Sequence, residues 1–324
     1  MAQSSQPSLF DMDVWPSTAN LDTDLDALLA TYSPTSIWCS VSGGVDSDAA
    51  ALWARRRWPT HPLILWHAHL DQMDWPQTSD HLDTLAATLG TAHRMTRQAV
   101  YELTGARTPT GHAATRLRRS HDVDRYGPAT DHDSNAIPTL LALAMARSGM
   151  PPTSSNRWCT SYFKASLCDH DLRAARDHVG PRPILISGER RAESPGRSRK
   201  PRAEWRVPLQ PSRDRPDGHR VLWLRPIIDQ AFHHAAHTVL KAGIPFHPGY
   251  ALQGETLAGM LDPDRTERGR ARLSCVVCIF TNPTHLAHAA AAAPETVLPY
   301  IERIETYEHE TGYTWQQRGP LEIR

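Results

Sequence analysis

The residues with the most chemical potential are Ser42-Gly43-Gly44-Val45-Asp46-Ser47. The apolar run Ile37-Trp38-Cys39-Ser40-Val41 before them reads as a short buried strand, and Asp48-Ala49-Ala50-Ala51-Leu52-Trp53-Ala54 after them reads as the start of a helix. Adjacent glycines let the backbone turn sharply and approach a ligand with no Cβ in the way. The helix behind them offers unpaired N–H groups and the positive end of its dipole to an anion. The hydroxyls of Ser42 and Ser47 can add donors, so the loop reads as a cradle for phosphate. It is not of the Walker type, because no Gly-Lys-Ser/Thr follows at the required spacing. The alternative is a polar strand–helix turn that binds nothing.

Sulfur is the second chemical resource. Cys39 falls within the first predicted strand and reads as core. The other four cysteines stand as Cys159-x8-Cys168 and Cys275-x2-Cys278. Two thiols separated by two residues can grip one metal from a tight turn. Four thiolates suffice for a [4Fe–4S] cluster or a structural zinc ion, and unligated, partly buried thiols are the third possibility. In a regular helix Cys159 and Cys168 would lie ~13 Å apart along the axis. Both reach one metal only if that segment bends. Five cysteines at such spacings do not suggest a disulfide framework.

Alternating strand and helix signals surround these residues. Helical spacing covers 21–31, the loop strand 35–41, and the helix behind the loop 46–57. A second strand is predicted at 62–69, a helix at 80–90 closing on Gly90, and a third strand at 92–96. From Glu102 to Asp133 the chain is rich in Arg, His, Gly and Thr without clear periodicity, and reads as an excursion over the active face. Helices follow at 136–148 and 161–178, strands at 183–187 and 221–224, and helices at 230–242 and 294–311. Strands separated by helix-length segments imply an α/β fold, a doubly wound parallel sheet of about five strands. Ligands in such sheets sit at the carboxyl ends of strands, where Gly43 and Gly44 would lie. The expected organisation is a polar N-terminal segment over 1–20, a nucleotide-binding domain over 21–245, and a C-terminal Cys-x2-Cys and helical extension over 246–324.

Composition bounds the partners. Lys and Arg total 35 and Asp and Glu total 35, so no global field recruits nucleic acid and any such contact must come from a local patch. Arg116, Arg118, Arg119 and Arg125 form the best one. No apolar run approaches the ~20 residues that cross a bilayer, and the first twenty residues lack the pattern of a signal peptide. The cytoplasm is the expected compartment, with no membrane partner.

Further segments extend the pattern. Leu70 to Thr78 includes Pro76-Gln77-Thr78 at the start of a predicted helix; Arg157-Trp158-Cys159 precedes Lys164; and Gly188-Glu189-Arg190-Arg191-Ala192-Glu193-Ser194 precedes Arg197. Arg225-Pro226-Ile227-Ile228-Asp229, His247-Pro248-Gly249-Tyr250 and Arg272 before the cysteine pair complete the series. The glycine loop resembles the PP-loop of the adenine-nucleotide α-hydrolase superfamily. The elements in this order resemble its phosphoadenosine-phosphosulfate reductase branch, over roughly 35–280.

That resemblance implies an adenine nucleotide bound by the loop residues Ser42 to Ser47 and by cations. Lys164, Arg190, Arg191 and Arg197 are the expected phosphate partners, and Glu193 is expected to orient an arginine. Asp46 is expected either to hold Mg²⁺ or to cap the following helix. Two departures bear on the reaction. Sulfonucleotide reductases of the branch attack with a cysteine on a late segment, and no cysteine follows Cys278 here; Val45 also stands where reductases commonly have lysine. Valine is usual in the ATP pyrophosphatases of the superfamily, and the DNA-phosphorothioation members pair such a loop with an iron–sulfur cluster. The implied activity is Mg²⁺-dependent cleavage of ATP that activates DNA or tRNA for sulfur transfer. A cysteine desulfurase is then the expected sulfur donor, and Cys159, Cys168, Cys275 and Cys278 are the expected metal ligands. The other readings are an adenylyl-sulfate or phosphoadenylyl-sulfate reductase using a partner's thiol, and an inactive nucleotide-binding subunit of a DNA-modification or defence complex.

Overall fold

The computed structural model describes residues 25–70, 73–97, 101–107, 113–117, 151–153, 156–206, 209 and 220–315. Helix α1 (Leu25–Thr31) leads into β1 (Ser36–Ser40), α2 (Val45–Arg57), β2 (Leu63–His69), α3 (Thr78–Leu89) and β3 (Ala92–Arg97). A separate antiparallel pair, β4 (Tyr101–Arg107) and β5 (Ala113–Leu117), comes next. The chain then forms α4 (Ser166–Ala174), β6 (Pro183–Ser187), β7 (Ala203–Trp205), β8 (Leu222–Leu224), α5 (Phe232–Lys241), α6 (Pro283–Ala292) and α7 (Pro294–Thr311).

The main sheet has the order β3-β2-β1-β6-β8-β7. Its first five strands are parallel, and β7 pairs antiparallel with β8 at the edge. Period-two alternation divides the strands between two cores. Ile37 and Cys39 of β1, Leu63 and Leu65 of β2, and Ile184 and Ile186 of β6 pack in one cluster with α1, α2, α3 and α5. Their neighbours Trp38, Trp66 and Leu185 pack in another with Leu167 and Leu172 of α4. Both faces are therefore covered, as the near-continuous apolar strands require. Cys39 is 1% exposed in the first of these cores, as its place in the predicted strand implies.

A third core joins the C-terminal helices to the body. Val276, Val277, Leu286, Val297, Ile301, Ile304 and Trp315 pack with Met73, Trp75, Trp158 and Phe163. The Trp315 ring N–H donates to the Val277 carbonyl at 3.0 Å, which ties the end of the helical extension to the turn between Cys275 and Cys278. No helix among the described residues is long and apolar enough to cross a membrane.

Besides the short edge strand β7, three elements differ from the sequence expectation. The stretch read as an excursion opens with the β4–β5 hairpin, whose register shifts between Leu103 and Arg107. Such an irregularity breaks the alternation that would reveal a strand. Helix α6 was not expected, because the alanines that fill its sequence, PTHLAHAAAA, leave little apolar periodicity. The predicted helix over 161–178 opens early, with a helical turn Trp158–Thr160, then a π-helical turn Ser161–Ala165 before α4. The helix expected at 136–148 and the arginines Arg118, Arg119 and Arg125 lie outside the described residues.

Candidate active site

Chain direction changes sides of the sheet between β1 and β6, since β2 and β3 extend one way and β8 and β7 the other. A crevice forms at such a switch point above the carboxyl ends of the strands. The glycine loop leaves β1 there, and Gly188 leaves β6 beside it. Gly43 has φ +75°, a left-handed conformation that glycine adopts without strain. Gly44 occupies the N-cap position of α2 and makes no side-chain cap. Asp46 therefore lies in the first turn of α2 and does not cap it.

The loop is tied to itself and to its surroundings. The Ser42 N–H donates to Ser47 Oγ at 3.2 Å, and the Ser47 hydroxyl donates to the Gly44 carbonyl at 2.7 Å. Ser47 thus braces the loop, where the sequence suggested a donor to phosphate. The Val45 N–H donates to the Tyr250 hydroxyl at 3.1 Å, and Tyr250 is 5% exposed. Beneath Gly43, His81 Nε2 lies 2.7 Å from Asp48 Oδ2, and both side chains are buried. His247 accepts the Gly249 N–H at Nδ1, and burial beside His81 pushes its pKa down to about 3, so it is a neutral wall.

Gly188 carries a constraint that its place in a sequence motif did not reveal. A Cβ added there would lie 2.3 Å from the Asp46 carbonyl oxygen and 2.5 Å from the Ser47 nitrogen. The turn after β6 thus rests directly on the backbone of the first turn of α2. Only hydrogen at this Cα lets the two loops share the crevice.

A cavity of about 880 Å³ opens above these loops. Among the residues that line it are Ser42, Gly44, Asp46, Lys164, Arg197 and Cys278. Cations reach it in two states. Arg190 is 1% exposed, donates through Nε to Asp46 at 2.8 Å and forks onto both Glu267 oxygens at 2.6 and 3.0 Å. Glu193 accepts the Arg190 backbone N–H at 2.8 Å and pairs with Arg197, which also approaches Glu189 at 3.4 Å. Arg191 pairs with Asp229 and does not line the cavity. These three arginines are already held by carboxylates.

Lys164, Arg157 and Arg272 differ. All three line the cavity, and none has a carboxylate at ion-pair distance among the described residues. Arg157 lies over the Phe280 ring, 4.6 Å from its centroid, and Arg272 donates to the Glu193 carbonyl at 2.7 Å. Burial lowers the Arg197 pKa, and the nearby Arg157 and Arg272 add to the effect, which marks a concentration of positive charge. The sequence pointed to Lys164; Arg157 and Arg272 stood in motifs without a role. Glu267 was missed altogether. Its signal was a lone acid among Arg265, Arg268, Arg270 and Arg272, where a salt-bridge partner for a buried arginine is economical to place.

The cysteines divide. Cys159, Cys275 and Cys278 share the cavity wall with Lys164 close enough to act on all three thiols. A hydrogen bond from Cys275 holds the Cys278 thiol below its ordinary pKa, against its burial. Cys168 lies at the other end of the π turn, in the core with Trp38 and Trp66, and the charges that act on it are Asp169, Asp171 and Arg206. It also lines the cavity, but it packs in a different core from Cys159 and Cys275. The chain continues helically from Cys159 through the π turn into α4, so the rise per residue carries the two thiols apart. A π turn inside a helix re-aims side chains, and this one carries Phe163 and Lys164.

Support for the cavity comes from a network in its wall. Arg225, fully buried over the Trp223 ring, donates to Glu189 at 2.5 Å, and Lys200 donates to the same carboxylate at 2.8 Å. Burial raises the Glu189 pKa, but Lys200 and Arg225 outweigh it and hold the group at about 2. A carboxylate depressed in this way stabilises the fold fully above its ordinary pKa near 4.5 and loses that contribution as pH falls toward 2. The expected result is that Glu189→Gln is less stable than the parent at pH 7, by up to roughly 3 kcal/mol. The gap should narrow between pH 4.5 and 2, as measured by urea denaturation. An equal gap at both ends of that range would contradict this role.

No protein-family model matches the sequence, and no curated protein matches it. Among solved structures the chain is similar to a phosphoadenylyl-sulfate reductase from Candida auris in a phosphate complex. The TM-score is 0.36 and the identity 12%, over 76% of this chain and 92% of that one. It is also similar to a U34-tRNA thiolase from Methanococcus maripaludis described with its [4Fe-4S] cluster. There the TM-score is 0.38 and the identity 9%, over 94% of this chain and 83% of that one. At such scores no residue assignment rests on either likeness. The parallel sheet, its switch point and the glycine loop that opens α2 there give this chain a doubly wound α/β fold with that loop at the carboxyl edge of the sheet.

Proposed function

We propose that this chain is an ATP pyrophosphatase that adenylates an acceptor, with a nucleic acid as that acceptor, for sulfur transfer. The observation that carries the reading is the cavity lined by the glycine loop, by cysteines and by cations that include Arg157, Lys164 and Arg272, which have no carboxylate at ion-pair distance among the described residues. The triphosphate of ATP brings negative charge, and Arg157, Lys164 and Arg272 supply uncommitted positive charge for it. An acceptor oxygen attacks the α-phosphorus, the bond from the α-phosphorus to the bridging oxygen breaks, and pyrophosphate leaves with the electron pair. The loop N–H groups and the three cations stabilise the charge that develops on that leaving group.

Asp46 fits a role in holding Mg²⁺. One of its oxygens takes Arg190, and the other has no hydrogen-bond donor among the described residues. Mg²⁺ would neutralise phosphate charge when bound. The donor set Cys159, Cys275 and Cys278 on one cavity wall is of the chemistry that holds a metal or iron–sulfur group, because soft thiolates suit both. Such a group would supply a place to hold or relay sulfur. Cys275→Ser and Cys278→Ser are each expected to lose bound metal, measured by elemental analysis of anaerobically purified protein. Full metal content in both variants would contradict the assignment.

Products test the reaction. ATP with Mg²⁺ and the acceptor should give AMP-containing product and pyrophosphate, with no ADP. The competing reductase reading predicts sulfite from phosphoadenylyl sulfate and a sulfonated cysteine by mass spectrometry. Finding that adduct would overturn the proposal.

A further inference from the structure

His67 and His69 at the carboxyl end of β2, with Asp74 in the loop beyond it, take no part in the chemistry above. Their ligand atoms lie within 4.8 Å of one another. Asp74 Oδ2 is 3.1 Å from His67 Nε2 and 3.0 Å from His69 Nδ1, and it accepts the Leu70 N–H at 2.8 Å. His67 Nδ1 lies 2.9 Å from the Val41 carbonyl oxygen. A carbonyl only accepts, so this nitrogen carries the ring's proton. In a neutral ring Nε2 is then a bare lone pair set against a carboxylate oxygen. Two acceptors face one another, and positive charge must lie on or between them.

A second proton on His67 would supply that charge; so would a metal ion. Three features favour the ion. The His67 ring donates its other N–H to a carbonyl, the arrangement that fixes a ligating imidazole. His69 brings a second nitrogen to the same oxygen, so three ligand atoms converge where His67 and Asp74 are 5% and 11% exposed. Finally, tetrahedral ligands at ~2.0–2.1 Å from a zinc ion lie ~3.3 Å from one another. The observed separations of 3.0 and 3.1 Å need little adjustment to reach that.

We propose that His67 Nε2, His69 Nδ1 and Asp74 Oδ2 bind one divalent transition-metal ion of the zinc class, at a site separate from the cysteines. Two imidazoles and one carboxylate suit zinc or cobalt, whereas magnesium favours oxygen ligands and retained water. Three protein ligands leave a position open. His69 is the member that lines the cavity, so an exchangeable ligand enters from that side. The site stands apart from the ATP reading and survives if that reading fails.

Cobalt is the probe, because its absorption distinguishes nitrogen and oxygen donors from thiolate. The full chain carrying Cys159→Ser, Cys275→Ser and Cys278→Ser together is titrated with Co²⁺ by equilibrium dialysis and visible spectroscopy. One equivalent should bind with ligand-field bands and no thiolate charge transfer. His69→Gln in that background should weaken binding about a hundredfold with an unchanged circular dichroism spectrum. In the chain with cysteines intact, His69→Gln should remove one equivalent of cobalt and spare any thiolate band, which keeps the test open if the triple variant does not fold. No bound cobalt in the triple variant when it folds, or binding that His69→Gln leaves unchanged in either background, would overturn the site and leave a proton-bridged cluster in its place.

Discussion

Lys164→Ala is expected to slow acceptor-dependent pyrophosphate release about a hundredfold while leaving thermal stability close to that of the parent. The side chain lines the cavity with the glycine loop and the cysteines, and no carboxylate pairs with it among the described residues. Removing one charged donor from a developing transition state typically costs on the order of 3 kcal/mol, or about a hundredfold in rate. Its removal uncovers no buried partner, so the folded state loses little. Arg190→Ala should behave in the opposite way. That guanidinium holds Asp46 and Glu267 together, and its loss leaves two carboxylates without their cation, at a cost of about 3 kcal/mol or more. Rate measurements and thermal melts on the two variants separate a phosphate ligand from a structural clamp. A Lys164→Ala enzyme with parental turnover would contradict the assignment.

Gly188→Ala is expected to abolish ATP binding and to lower stability by about 1–3 kcal/mol, the usual range for overpacking. A methyl group here meets backbone atoms 2.3 to 2.5 Å away, and backbone cannot swing aside as a flexible side chain can. Either the loop after β6 or the first turn of α2 must move, and both shape the phosphate cradle. By contrast, a Cβ at Gly44 meets its nearest neighbours at 3.4 Å, an ordinary contact, so Gly44→Ala should bind ATP more nearly as the parent does. Calorimetric titration of ATP into the two variants checks the order. Tight binding by Gly188→Ala would show that the two loops do not depend on one another.

The sheet was legible because its strands are short, apolar and separated by helix-length segments; β1, β2, β6 and β8 fall where the apolar runs lie. Edge strand β7 was not, since Glu204 in its middle and Arg202 and Arg206 at its ends leave it without an apolar run. Among the site residues, the glycine loop declares itself through composition, and Lys164 through its spacing from Cys159. What the sequence conceals is how charge is shared. Nothing in the order of residues tells that Arg190 pairs with Asp46 and Glu267 while Arg157 and Arg272 have no carboxylate at ion-pair distance among the described residues. That depends on which loops face one another across the crevice. The four-cysteine expectation met the same limit: spacing alone gave Cys168 a long reach from Cys159, and the fold buries it in another core.

The most direct test of the central claim is to incubate the protein with ATP labelled at the α-phosphate, Mg²⁺, and either tRNA or double-stranded DNA. Pyrophosphate release that depends on nucleic acid, with transient α-label on the nucleic acid, is the result this account predicts. Label found only in ADP, or no cleavage with either nucleic acid while phosphoadenylyl sulfate is reduced to sulfite, would contradict it.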